Sequence, residues 1–331
     1  MDHNSKLTSS ELGVLWNAYM QNTAVNCIVK HFHKVNEDKS ADYLLKTALS
    51  NIQFAIEGSK QIFEAEKVPV PLGFNEGDVN LDAPRLYSDI FALRYIKYMS
   101  AFGTTTAAIS LELSTRADVR NYFTKIVGSL SSQFNVASEL LLQKGVYIRP
   151  PIIPVPEQVE YVEQETFLSG LLGRHRPINA VELSHISKNL ETNSIGRTFI
   201  LGFSQIAQSP EVKEYFTRGK EIGENHEEVF REILLKDDLP LPSAWDSTIS
   251  KTTSPAFSDK LMMFHTGTLN ATSVASYGAS IGGSLRKDLG AQYMQLLKEV
   301  LEFSDDGAKI MIKNTWMEQP PQAPDRVAIR S

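Results

Sequence analysis

Residues 68–73 read VPVPLG and residues 239–244 read LPLPSA. The same alternation of apolar residue and proline stands twice, about half a chain apart. An internal repeat sets the architecture before any single motif is weighed. Aligning Pro69 with Pro240 and Pro71 with Pro242 gives an offset of 171 (240 less 69). At that offset Thr8-Ser9-Ser10-Glu11 falls on Asn179-Ala180-Val181-Glu182. Both read as capping boxes, an N-cap oxygen followed three residues later by a Glu that reaches back to the cap amide. Asn22 falls on Asn193 and Phe32 on Phe203. One residue of slippage then brings Ser88-Asp89 onto Ser258-Asp259, and Ser114-x-Arg116-x-Asp118 onto Ser284-x-Arg286-x-Asp288. Pro150-Pro151 meets Pro320-Pro321. Matches that keep one order along a whole half, with a gap of one residue, indicate a duplication.

Within each half, helical signals dominate. After the first capping box, Leu12, Leu15, Tyr19, Asn22, Asn26 and Val29 recur at three- and four-residue steps. Tyr43, Leu44, Ala48, Ile52, Ile56 and Phe63 do the same in a second stretch, which the prolines end. The expected helices are 9–34, about 40–66, about 86–112 and about 116–145, and in the second half about 180–207, 210–236, 256–282 and 286–315. Helices one and two are joined by a few residues, as are three and four, so these pairs are antiparallel neighbours. Between two and three lie about 20 residues, enough to cross a bundle from end to end. That connectivity is ferritin-like rather than simple up-down. The expected fold is therefore all-α, two tandem ferritin-like four-helix bundles: an N-terminal bundle over 1–147, a Pro-rich linker over 148–177, and a C-terminal bundle with an extended tail over 178–331. Two similar halves in one chain form an internal pseudo-dimer, with a monomer or homodimer as the resulting assembly.

Composition excludes several function classes. The net charge is -6 and no basic block stands out, so no nucleic-acid partner is expected. The one cysteine, Cys27, leaves no internal disulfide and no cysteine-based metal cluster. The opening MDHNSKLTSSEL lacks a signal-peptide layout and no apolar run is long enough for a membrane span. A cytoplasmic location is expected.

A di-metal site in such a bundle needs Glu-x-x-His on two helices and a carboxylate from each of the others. The chain has a single Glu-x-x-His, Glu182 to His185, and Glu182 is committed to its cap. Counting outward from the turn near Gln208–Pro210 places Asn193 and His226 at similar depth. The crossover and the next turn bring Asn270, Ser273 and Glu299 to the same level. His226, Glu299, Asn193 and Asn270 are the candidate metal ligands, for a divalent metal ion in the C-terminal bundle. A hydrogen-bonded buried or surface histidine is the competing reading. The first-half positions are Asn22, Ala55, Ser100 and Ser129, so no equivalent site is expected there. His31 and His33 are two apart and point away from each other on a helix, which suits a solvated helix end. Asp89, Asp118, Asp259 and Asp288 sit at helix starts, where the dipole favours a carboxylate. Cys27 reads as buried and inert. Helix three is rich in small residues in both halves, YMSAFGTTTAAIS at 98–110 and TGTLNATSVASYGASIGGS at 266–284. Close helix packing is expected of them, with room for a ligand the alternative.

Four segments carry a resemblance: GFNEGDVNLDAPRLYSD at 73–89, RPINAVEL at 176–183, AFSDKLMMF at 256–264 and WMEQPPQAPDR at 316–326. With them the chain resembles an uncharacterised family of tandem ferritin-like proteins from spore-forming Gram-positive bacteria, and half by half the spore coat F type of four-helix protein. The resemblance implies a histidine in the second helix of each repeat; His226 matches and Ala55 does not. It also implies a spore-associated role without naming an activity. The expected function is a non-enzymatic structural or interaction protein with protein partners. The alternative is a metal- or small-ligand-binding protein with its site in the C-terminal bundle.

Overall fold

The computed structural model describes residues 6–170, 176–241 and 249–326. Pro242, Ser243 and Ala244 of the second Pro knot lie outside them. Among the described residues there are eight α-helices and no β-strand: α1 (Ser9–Val35), α2 (Lys39–Ala65), α3 (Asp89–Glu112), α4 (Ala117–Gln143), α5 (Ala180–Ile206), α6 (Pro210–Lys236), α7 (Asp259–Gly283) and α8 (Lys287–Lys313). Each boundary lies within a few residues of its sequence expectation. Helices α3 and α7 start three residues late because Ser88 and Ser258 are their N-caps, accepting from the amides of Phe91 and Leu261.

The second and fourth helix of each half end alike. Lys67, Gly145, Asp238 and Thr315 each adopt a left-handed backbone, with φ of 58°, 68°, 54° and 58°. The next residue's amide returns to a carbonyl five positions back, as in Val68 to Phe63 at 2.9 Å and Leu239 to Leu234 at 3.0 Å. These are Schellman stops. Pro69 and Pro240 follow directly, so the Pro knot confirms a termination that the backbone has already made.

The two bundles share one core. Ile28, Phe32 and Tyr95 pack in a single apolar cluster with Phe199, Phe203 and Met262. The crossovers pair across it in antiparallel register, Val79 with Phe257 and Tyr87 with Ile249. The Asn80 amide donates to the Ala256 carbonyl at 2.8 Å, and the Ser250 amide to Leu86 at 2.8 Å. Adding 170 to one bond's residues on the first half, and subtracting it on the second, gives the other bond. The interface therefore has the form of a local twofold. Tyr95 and His265, themselves 170 apart, meet edge to face at 5.6 Å. The tail closes the joint from the far side: the Glu318 carboxylate accepts from the amides of Leu72 (2.9 Å) and Gly73 (2.7 Å). Gly73 has φ +60° and its missing Cβ would press on Thr23, so this turn requires glycine.

Two sequence expectations fail here for one reason. His31 is fully buried, edge-on to Phe257 at 5.2 Å, and does not sit at a solvated helix end. The most buried face of α1 runs through Met20, Ala24, Cys27 and Ile28; of the expected stripe Leu12, Leu15, Tyr19, Asn22, Asn26 and Val29, Leu15 and Val29 are buried and the others half-buried. Helix α1 is covered by its own bundle and by the other half, so no single stripe describes it. Tyr43, assigned to the core face of α2, is exposed. Cys27 is buried, its thiol pushed up to about 12 by burial.

Candidate functional site

Each helix of the C-terminal bundle contributes one polar residue to a buried chain. On α6, His226 falls on the same face as Phe216, Gly219 and Phe230, which carries it inward. Its Nε2 lies 3.0 Å from Glu299 Oε2 on α8, and its Nδ1 lies 3.0 Å from Tyr277 Oη on α7. Asn193 Nδ2 on α5 donates to Tyr277 Oη at 2.8 Å. Tyr277 Oη also lies 3.1 Å from Asn193 Oδ1, so its one proton has two acceptors in reach. With a neutral imidazole, Tyr277 donates to Nδ1 and Nε2–H donates to the carboxylate. Burial pushes the His226 imidazole below its ordinary value, and Glu299 offsets part of that. Burial pushes the Tyr277 phenol up. A second layer ties α5 to α7: Ser276 Oγ donates to Asn189 Oδ1 at 2.6 Å, and Asn189 Nδ2 to Ser280 Oγ at 2.7 Å.

Of the four candidate ligands, His226, Glu299 and Asn193 thus converge, linked through Tyr277. Asn270 shares no hydrogen bond with them; it is buried with its Nδ2 unpartnered. Seven residues before Tyr277, it lies about two helical turns, roughly 10 Å, along α7. Ser273 bonds back to its own helix. The depth count held for Asn193, His226 and Glu299 but was two turns out on α7: seven residues turn a helix through about 700°, so Asn270 keeps roughly the face of Tyr277 at another depth. Tyr277 escaped the sequence reading because it stood among small residues. The repeat offset would have found it: 170 positions earlier stands Ala107. Among the described residues, no group of three or more His, Cys, Asp or Glu is placed to hold a metal ion. Protein-bound zinc, by comparison, uses three or four such ligands.

Glu182 and Glu11 also do more than close their caps. Glu11 accepts from the amides of Thr115 (2.8 Å) and Arg116 (2.7 Å), so it caps α1 and the start of α4 together. Glu182 does the same for Leu285 and Arg286, and holds Arg176 as well. Burial pushes Glu11 up, but the amides of Arg116 and Thr8, the Thr8 hydroxyl and the Thr115 amide outweigh it and hold the carboxyl down at about 2. His185, the other half of the Glu-x-x-His, has its Nδ1 3.4 Å from Ser280 Oγ. Arg116 and Arg286 pair with Asp118 and Asp288 at 2.7 and 2.6 Å. Asp89 and Asp259 accept from the amides of Glu37 and of Gln208 and Ser209, pinning the turn between the first two helices to the third.

The N-terminal bundle has no such chain at the equivalent positions; its own polar chain, Asn51 to Gln133 to Ser100, joins α2, α4 and α3 through other residues. Ala55 stands for His226, Ala107 for Tyr277 and Ser129 for Glu299. All three line a cavity of about 330 Å³ that reaches in between α1 and α3. Helices α1 and α3 touch only slightly, whereas α5 and α7 pack closely. The small residues of the third helix therefore have different outcomes in the two halves, close packing in the second and open space in the first.

Residues 1–159 and 166–329 each match the family described as "Protein of unknown function (DUF3231)", and the chain belongs to that family, carrying its domain twice. No curated protein matches the sequence. Among solved structures, a "putative spore coat protein" from Bacillus halodurans C-125 is similar to it at 18% identity. The match covers 45% of this chain and 98% of that one, with a TM-score of 0.43.

Proposed function

We propose that this member of the DUF3231 family is a non-enzymatic structural or interaction protein, a rigid scaffold of two ferritin-like bundles fused as an internal pseudo-dimer. The bundles occupy 1–147 and 178–331, with 148–177 as the linker. The observation that carries this reading is the shared core with its paired crossovers. The residues joining the halves are mostly apolar side chains and backbone amides, with the Lys97–Glu191 ion pair (2.7 Å) and the Ser258–Asp78 hydrogen bond (2.7 Å) beside them, an arrangement that fixes the shape of the joint. Among the described residues no helix is long and apolar enough to cross a membrane. A spore-associated setting rests on the sequence resemblance, and a cytoplasmic one on the sequence expectation given above.

One observation favours the alternative, a divalent cation in the C-terminal bundle. A histidine and a carboxylate stand 3.0 Å apart, with the Glu299 side chain 37% exposed and His226 1%. Against it, the second ring nitrogen is held by Tyr277. Elemental analysis of protein purified without a metal-affinity tag, wild type and His226→Ala, decides between the readings. The scaffold reading expects no stoichiometric metal in either protein. About one metal per chain, lost in the variant, together with turnover of peroxide or ferrous iron, overturns it.

A further inference from the structure

The cavity of the N-terminal bundle has a definite chemistry. Not one Asp, Glu, Lys, Arg or His lines it. Its floor is apolar and buried, with Ile52, Ala55, Ala107 and Phe123 among the residues there. Its polar groups are mostly committed in one direction. Thr106 donates its hydroxyl proton to Phe102 and Gly103, Ser110 to Thr106, and Ser129 to Ile126, all carbonyls of their own helices. Asn22 donates to the Ala18 carbonyl. The hydroxyls thus leave acceptor oxygen for an occupant, while the side-chain amides of Asn17, Gln21 and Asn22 add N–H donors. At the deep end Gln133, buried, is already held by Asn51 and Ser100 at 2.8 and 2.9 Å. An apolar cavity of roughly 150 Å³ holds one benzene. By that scale about 330 Å³ takes on the order of a dozen to fifteen non-hydrogen atoms.

The sister bundle is the internal control. At the equivalent level it fills its centre with the His226 and Tyr277 side chains and stitches α5 to α7 with Asn189, Ser276 and Ser280. The same fold can therefore close, and the first bundle leaves space where those two side chains stand. We propose that the N-terminal bundle binds an uncharged, mostly apolar small molecule with one polar group, a hydroxyl or an amine, seated between α1 and α3 against Ala55 and Ala107. This site is separate from the His226 network, and the proposal stands whether or not the C-terminal bundle holds a metal.

The test uses full-length protein and 1-aminoanthracene, a neutral fluorophore of suitable size with an N–H donor. Wild type is expected to bind one equivalent with micromolar Kd. Ala107→Phe and Ala55→Leu, which fill the floor, are expected to weaken binding at least tenfold while keeping the wild-type circular dichroism spectrum. Tyr277→Phe in the other bundle is expected to leave it within twofold. If Ala107→Phe does not fold, the smaller Ala55→Leu decides alone. The proposal is overturned if wild type fails to bind the probe, if folded filling variants bind it as well as wild type does, or if Tyr277→Phe abolishes binding. It is equally overturned if anionic 8-anilinonaphthalene-1-sulfonate binds more tightly at the same site.

Discussion

The two bundles of this protein share helix lengths, caps and stops, and differ at their centres. In the second, four helices each send in one polar side chain and the chain from Asn193 to Glu299 is closed. In the first, alanines stand at two of those places and a cavity opens. The lesson is that the framework of a duplicated bundle and its filling answer to different residues. The framework rests on capping glutamates, left-handed stops and paired crossovers, which recur in both halves. The filling rests on a few large side chains, and these have diverged.

The substitution that writes one bundle's centre into the other has the largest expected effect. Tyr277→Ala, giving the second bundle the first one's residue, removes a fully buried ring and leaves His226 without its Nδ1 partner. It is expected to cost about 4 kcal/mol, read by urea denaturation. A loss below about 1 kcal/mol means the C-terminal centre is no better filled than the N-terminal one.

The capping glutamates test sameness instead. Glu11→Ala and Glu182→Ala each strand several amides at two helix starts. Each is expected to cost about 2–3 kcal/mol. If one costs nothing in thermal melts, the repeat is equivalent in sequence only.

The meeting of Tyr95 and His265 at the interface makes a third contrast, because only one of the pair titrates at mildly acid pH. Burial pushes His265 down to about 3 from 6.5. The folded protein thus stays neutral at this site while the unfolded chain takes up a proton. Stability is full above about pH 6.5 and declines as pH falls toward 3. Between pH 7 and pH 5 this site contributes a loss of about 2 kcal/mol. Burial also lowers His31 and His226, so their loss runs in the same direction. The comparison is therefore wild type against His265→Phe, whose profile should be flatter by that amount. Identical profiles would remove His265 as the source.

Gly73→Ala is the smallest expected effect, about 1 kcal/mol. It strains the turn that receives Glu318. The loss should shrink once Glu318 is changed to Ala, as a double-mutant cycle on melting temperatures would show.

Much of the framework could be read in advance. Capping boxes and prolines are local signals, and they placed eight helices and both long crossovers. Faces were harder. Periodicity assigns one buried stripe, and α1 is buried on two sides, so His31 and the true face of α1 were misread. Depth along a bundle could be counted from the turns, which brought Asn193, His226 and Glu299 together. Across the long crossover the count slipped by two turns, and Asn270 was misplaced by about 10 Å. The cavity was the least legible feature, since an alanine in a helix looks the same whether its neighbours close over it or not. The contrast of Ala55 with His226 was visible, but it became a void only once Ala107 was seen opposite.

The pairing of the crossovers also sets a timetable for synthesis. Val79 finds its partner only at Phe257, 178 residues later (257 less 79). At roughly 5–20 residues per second a ribosome needs on the order of ten to thirty-five seconds to cover that distance. Through that interval the first bundle carries Phe32 and Tyr95 without the second half's Phe199 to cover them. The nascent chain therefore exposes an apolar face that another nascent copy is equally shaped to take, and exchange of halves between two chains competes with closure of one.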